Sequence, residues 1–101
     1  MTDLVRLKLV TIVAERLLRA RLIDEARGLG ARGFTVTEVA GEGSRGVRAT
    51  DWEGANVKIE MIVGAEVAGR IVSHIAERYF AYHAVIVHVQ DVDVVRGDKY
   101  L

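Results

Sequence analysis

The chain has no cysteine, no proline and no long apolar run. Without cysteine it can form no disulfide, no thiolate nucleophile and no cysteine-ligated zinc site. No stretch approaches the ~18 consecutive apolar residues that a membrane-spanning helix needs. The first residues lack the pattern of a secretory signal peptide. We therefore expect no membrane insertion, and the default location is the cytoplasm.

The chain also has no excess of charge of either sign and few aromatic residues. Lysine plus arginine and aspartate plus glutamate each number 14, so the formal net charge is zero, whereas nucleic-acid binders usually carry a basic excess. No aromatic residue lies in 7–13 or 57–63, where an RNA-binding module of related fold would need stacking rings. We expect no nucleic-acid partner, and a net charge of zero permits self-association.

What remains describes one compact domain over residues 1–101, of which half are hydrophobic. Short β-branched runs predict strands, and apolar residues at helical spacing predict helices. The predicted elements are strand 7–13, helix 15–29, strand 34–40, strand 56–63, helix 65–83 and strand 84–89. The order βαββαβ predicts an α+β, ferredoxin-like fold, in which two helices cover one face of a four-stranded antiparallel sheet.

Strand alternation assigns residues to the two faces of that sheet. Val57, Ile59, Met61 and Val63 are predicted to face the helices. The residues predicted to face the opposite way are Lys58, Glu60 and Ile62, with Leu4, Arg6, Lys8, Val10 and Ile12 on the first strand and Ile86, His88 and Gln90 on the fourth. Such a mixture of apolar and charged residues favours burial against another subunit, although a plain exposed face is the alternative.

The segment between the second and third strands carries the chemistry. Residues 41–48 read Gly-Glu-Gly-Ser-Arg-Gly-Val-Arg. Closely spaced glycines let backbone N–H groups turn toward a ligand, and forked guanidinium groups match phosphate oxygens. The segment therefore has the residues of a phosphate cradle, but Gly-Ser-Arg clusters also occur in ordinary solvated loops.

The residues on both sides of this segment resemble the PII signalling superfamily. Residues 33–39 read Gly-Phe-Thr-Val-Thr-Glu-Val and are followed by Gly-Glu-Gly, and residues 56–63 read Asn-Val-Lys-Ile-Glu-Met-Ile-Val. They are similar to the PII patterns G-(M/F)-T-V-x-E-V-x-G-x-G and V-K-I-E-(I/V)-V-V. The loop base resembles the G-S-R-x-x-R of the PII-like carbon-regulation branch, which contains SbtB and the carboxysome-associated PII proteins (CPII).

This resemblance implies a homotrimer that binds an adenine nucleotide (ADP, AMP, ATP or cyclic AMP) in clefts between subunits, with a flexible T-loop at about 41–55. The residues expected to hold the phosphates are Gly41, Gly43, Ser44, Arg45, Arg48 and, from an adjacent tail, Arg96. Those expected to form the adenine slot are Thr35, Val36, Ile62 and Val63. Bicarbonate is implied as a further ligand beside the nucleotide.

The implied function is regulatory rather than enzymatic. By resemblance, the protein would sense adenylate state and inorganic carbon and control a bicarbonate transporter or a carboxysome-associated protein through its T-loop. The T-loop lacks the modifiable tyrosine and the glutamine of standard PII proteins, so a nitrogen sensor switched by uridylylation is not expected.

Two alternatives stay open, a slow nucleotide hydrolase and a ferredoxin-like small-molecule sensor. No nucleophile has a general base at a recognisable spacing, and Glu38, Glu60 and Glu66 form no evident acid–base pair. The three histidines His74, His83 and His88 show no metal-ligand spacing. We expect neither catalytic residues nor a metal site.

Overall fold

Four strands and two α-helices make up the fold of the computed structural model, which describes residues 2–40 and 56–101. The elements are β1 (Leu4–Glu15), α1 (Arg19–Gly28), β2 (Thr35–Val39), β3 (Asn56–Val63), α2 (Ala65–Tyr79) and β4 (Ile86–Val95). Short 3-10 helices span Arg16–Leu18 and Gly97–Tyr100. The sheet is antiparallel with strand order β2-β3-β1-β4, so the predicted βαββαβ ferredoxin-like fold is confirmed. The predicted T-loop lies outside the described residues.

Strand β3 has the predicted bounds, but β1 and β4 are longer than predicted. Strand β4 continues to Val95 instead of ending at residue 89. Asp91 and Asp93, which lie beyond the predicted end of this strand, are directly opposite Lys8 and Arg6 on β1. Both carboxylates accept hydrogen bonds from those cations, with 2.6 Å between Arg6 Nε and Asp93 Oδ1. These cross-strand ion pairs stabilise the pairing of β4 with β1 beyond residue 89, which the polar residues in that part of the sequence did not indicate.

Helix α2 ends at Tyr79 rather than at residue 83. The carbonyl oxygen of Tyr79 accepts the backbone N–H groups of Tyr82 and His83, at 3.1 and 2.8 Å. These bonds close a turn in place of another helical turn. No helix in the described ranges is long and apolar enough to span a membrane.

The core lies between the helices and one face of the sheet. Val57, Ile59, Met61 and Val63 are all buried there, so this predicted face is confirmed. The face predicted for the first strand is wrong. Val10 and Ile12 lie directly opposite Met61 and Ile59, and directly opposite residues in an antiparallel pair share a face.

All even-numbered residues of the predicted β1 set, Leu4 to Ile12, therefore lie on the helix side of the sheet. The other side, called here the open face, carries the odd-numbered positions of β1, among them Leu9, Thr11 and Val13. Ile86, His88 and Gln90 of β4 lie opposite Val13, Thr11 and Leu9. The prediction for the fourth strand is thus confirmed.

A polar cluster joins α1 to α2. The hydroxyl of the buried Tyr79 donates to Glu25 Oε1 at 2.7 Å, and His74 Nε2 lies 2.6 Å from the same oxygen. The Arg21 guanidinium lies 4.9 Å from the centre of the Tyr79 ring. Burial alone would raise the pKa of Glu25, but hydrogen bonds from His74 and Tyr79 outweigh it and hold that pKa below its ordinary value. Burial and the bond to Glu25 raise the pKa of Tyr79 to about 12.

Residues 96–101, called here the tail segment, turn from β4 onto the open face. Arg96 adopts the left-handed conformation with φ 61°, and Gly97 is buried against Val5 of β1. A methyl group at Gly97 would lie 2.5 Å from Val5 Cβ. At the far end, Leu101 Cδ2 lies 3.2 Å from the position that a Cβ would take at Gly64. The tail segment therefore runs from the end of β4 toward the end of β3.

Gly97→Ala is expected to lower the free energy of unfolding by about 1–3 kcal/mol, the usual cost of overpacking. The added methyl group would meet the Cβ of Val5, which cannot rotate away. Gly69→Ala is the control, because nothing lies within 4 Å of a Cβ there and alanine favours a helix by up to about 1 kcal/mol. Urea denaturation at one fixed protein concentration compares the two variants. If Gly97→Ala unfolds at the wild-type urea midpoint, the close contact between Gly97 and Val5 is not as described.

Candidate functional site

A cavity of about 400 Å³ lies where the tail segment meets the open face. Its size is within the range of small-molecule sites. The residues that line it are Leu9, Gly33, Phe34, Thr35, Glu60, Met61, Ile62, Lys99 and Tyr100. Three neighbouring strands and the tail segment therefore contribute to one concave surface.

The register of the sheet brings these residues together. Thr35 of β2 lies directly opposite Glu60 of β3, and Leu9 of β1 lies directly opposite Ile62. Glu60 and Ile62 are two positions apart on β3, so both project to the open face. The cavity thus combines an apolar surface with a hydroxyl and a carboxylate, a mixture typical of sites for small polar organic molecules.

A row of polar side chains crosses the open face beside the cavity. In register across the four strands it consists of Thr35, Glu60, Thr11 and His88. Thr11 is 2% exposed, and its hydroxyl has no hydrogen-bond partner among the described residues. A buried hydroxyl without a partner costs free energy, so Thr11 is a locally unfavourable position within this row.

The structure places the predicted adenine-slot residues on two different faces. Thr35 and Ile62 line the cavity. Val63 is 1% exposed in the core beneath the helices, and Val36, opposite Ile59, packs against that core. Alternation explains the division, because neighbouring residues of a strand point to opposite sides. The side chains of Val36 and Val63 are therefore not part of the cavity surface.

The predicted phosphate-binding residues are mostly beyond the described ranges. Gly41, Gly43, Ser44, Arg45 and Arg48 all lie outside the described residues. Arg96 is described and exposed at the start of the tail segment, but it does not line the cavity. The assignment of these residues to a nucleotide stays a prediction.

Sequence reasoning missed three residues of the cavity with polar groups. Glu60 was placed on the correct face but not at the site, although its register with Thr35 follows from the pairing of β2 with β3. Lys99 and Tyr100 reach the cavity because the tail segment turns back over the sheet, which no local pattern indicates. The Lys99 ammonium lies 5.7 Å from the centre of the Tyr100 ring. Within 2–40 and 56–101, no three His, Asp or Glu residues are placed to hold a metal ion.

Comparisons with known proteins show what this chain and its fold are similar to. The family model of the nitrogen regulatory protein P-II matches residues 7–99. A PII-like signalling protein from Thermus thermophilus is 54% identical, with 98% of this chain and 99% of that chain covered and a TM-score of 0.86. CPII from Thiomonas intermedia, bound to ADP and bicarbonate, is 24% identical over 100% of both chains, with a TM-score of 0.88. The same protein bound to ADP, AMP and bicarbonate matches at 24% identity and a TM-score of 0.86, with 99% of this chain and 98% of that chain covered.

Proposed function

The chain belongs to the nitrogen regulatory protein P-II family, whose members are generally regulatory homotrimers, and from this membership we propose that it senses adenine nucleotides. The nucleotide, with ADP and AMP as the leading candidates, would bind at clefts between subunits. Bicarbonate would bind beside it. The protein would signal the adenylate state and the supply of inorganic carbon to a partner protein.

The observation that carries this proposal is the cavity beneath the tail segment. It has the apolar surface of Leu9 and Ile62, with Thr35 and Glu60 in register at the same place. An adenine ring needs such an apolar surface together with a few hydrogen-bonding groups. CPII, which has the same fold over its whole length, was solved with ADP and bicarbonate. The Gly-Ser-Arg segment that follows β2 would supply the phosphate contacts.

The apolar side chains of the open face support assembly through that face. Ile86 is 55% exposed, and Leu9 and Val13 on the same face are only partly buried. A neighbouring subunit could cover these side chains. In the proposed trimer, the nucleotide would bind between the cavity of one subunit and residues of the next. A nucleotide would then hold two subunits together.

The partner in this proposal is a bicarbonate transporter or a carboxysome-associated protein, contacted by the T-loop at about 41–55. Nucleotide and bicarbonate would change the conformation of that loop and so change the affinity for the partner. The protein would act in the cytoplasm, because the adenylate pool that it would read is there.

Titration calorimetry tests the proposal, with ADP, AMP, ATP and cyclic AMP, each with and without bicarbonate. We expect a dissociation constant on the order of micromolar for the preferred nucleotide, a value that a few charged contacts and a buried base readily supply. Sedimentation of the same samples should give a trimer. Absence of heat with all four nucleotides would reject the proposed function.

A further inference from the structure

We propose that Tyr100 forms a wall of the nucleotide cavity and stacks on the base of the bound nucleotide. The inference rests on the proposed function and adds to it a residue that determines which ligands fit. Tyr100 is half-buried and lines the cavity together with Lys99. It belongs to the tail segment rather than to the strands that carry the other lining residues.

The position of Tyr100 is set by packing at both ends of the tail segment. Gly97 is buried against Val5 with no room for a methyl group. Leu101 reaches the vicinity of Gly64, the residue between β3 and α2. Gly97, the first residue of the 3-10 helix, packs on Val5 of β1, and Leu101, which follows the helix, lies near Gly64. The ring of Tyr100 between them is therefore positioned before any ligand arrives. A preorganised wall contributes more to affinity than one that must be ordered on binding.

The cavity is open while Tyr100 is in place. Its volume of about 400 Å³ is the space that remains beside the ring, not space that the ring fills. The tail segment is therefore a side of the site and not a plug in it. Leu9 and Ile62 supply an apolar surface, and Tyr100 adds an aromatic face. Aromatic faces next to apolar surfaces favour flat heteroaromatic rings, which stack in an offset or edge-on arrangement.

Lys99 strengthens the choice of an anionic ligand with a flat ring. Its ammonium lies 5.7 Å from the centre of the Tyr100 ring, within the range of a cation–π contact. Lys99 also lines the cavity, so in this proposal its ammonium would be available to a ligand's phosphate groups. Ring and charge together fit a nucleotide better than a neutral nucleobase or a bare anion.

Titration calorimetry on the full chain tests the wall, with ADP and with pyrophosphate, which has phosphates but no base. Tyr100→Ala should weaken ADP binding by about 5- to 150-fold, the range that base–aromatic stacking contributes, and should leave pyrophosphate binding unchanged. Tyr100→Phe keeps the ring and should bind ADP like the wild type. Tyr82→Ala is the matched control, because Tyr82 is 80% exposed and does not line the cavity.

The outcomes separate this inference from the proposed function. If the wild type binds ADP and Tyr100→Ala binds it equally well, the wall is refuted and the nucleotide proposal stands. Tighter binding by Tyr100→Ala would mean that the tail segment obstructs the site, which also overturns the wall. An equal loss of ADP and pyrophosphate binding would indicate a general disturbance instead of lost stacking, and it too refutes the wall. Where pyrophosphate binds too weakly to measure, failure of Tyr100→Phe to restore ADP binding refutes the wall. A wild type that binds no ADP refutes both proposals.

Discussion

Replacing both Arg45 and Arg48 with alanine is expected to weaken ADP binding by about 10²- to 10⁴-fold. Each charge-assisted hydrogen bond contributes about 1.5–3 kcal/mol, and about 1.4 kcal/mol corresponds to a tenfold change in affinity. In the proposed site these two side chains supply the forked donors that match phosphate oxygens. Titration calorimetry at constant ionic strength measures the effect, because phosphate contacts are sensitive to salt.

The matched control removes two positive charges elsewhere. Arg6 and Arg70 are exposed. Both lie toward the end of the sheet opposite to Val39 and Asn56, between which the Gly-Ser-Arg segment runs. Their joint replacement with alanine therefore changes the net charge equally. It should leave ADP affinity within about twofold, since distant exposed charges are screened. Lysine at 45 and 48 keeps the charge without the planar fork, and it should give an intermediate affinity. Wild-type affinity in the double alanine variant would remove the phosphate cradle from the proposal.

Tyr79→Ala is expected to lower the free energy of unfolding by about 3–5 kcal/mol, the usual cost of removing a buried aromatic side chain. Tyr79 is 0% exposed, and its hydroxyl bonds Glu25 across the boundary between α1 and α2. Truncation thus leaves a cavity and also removes a hydrogen bond from a partly buried carboxylate. Urea denaturation measures the loss. Tyr82→Ala, at a position 80% exposed, should stay within about 0.5 kcal/mol of the wild type.

The hydroxyl of Tyr79 adds a pH dependence to this prediction. The folded state raises the pKa of Tyr79 from 10.0 to about 12, so the folded state holds the proton more tightly than the unfolded chain does. The resulting stabilisation is complete below pH 10 and is lost as the pH rises through about 12. Over that window the wild type should lose up to about 1.4 kcal/mol per pH unit more than Tyr79→Phe. If the free energy of unfolding falls equally with pH in the two proteins, the Tyr79 hydroxyl is not buried as described.

Local sequence patterns predicted a strand and its buried face well where every second residue of the strand is apolar and the residues between them are polar. In β3, Val57, Ile59, Met61 and Val63 alternate with Lys58 and Glu60, and both the bounds and the face were predicted. In β1, apolar residues occupy both the odd-numbered and the even-numbered positions, as in Leu9 and Val10. Only the pairing with β3 decides whether the odd-numbered or the even-numbered residues face the helices. Pairing is a long-range property, so the wrong face was predicted there.

The residues of the candidate site also divide into those that local patterns identify and those that depend on long-range contacts. Thr35 and Ile62 were identified from the sequence, and the structure places both at the cavity. Val36 and Val63 were predicted with them as parts of one apolar slot, although alternation sends their side chains to the other side of the sheet. Tyr100 could not be predicted, because its position depends on the contact between Gly97 and Val5. That contact joins segments from opposite parts of the chain.

The seat of Gly97 on Val5 also provides a place for a spectroscopic label. The sequence has no cysteine, so a thiol introduced at Asp3, just before β1 begins at Leu4, can be modified with a single dye. Val5 lies two residues further along and holds Gly97. A fluorophore at position 3 would therefore report movements of the tail segment while the cavity itself stays unmodified.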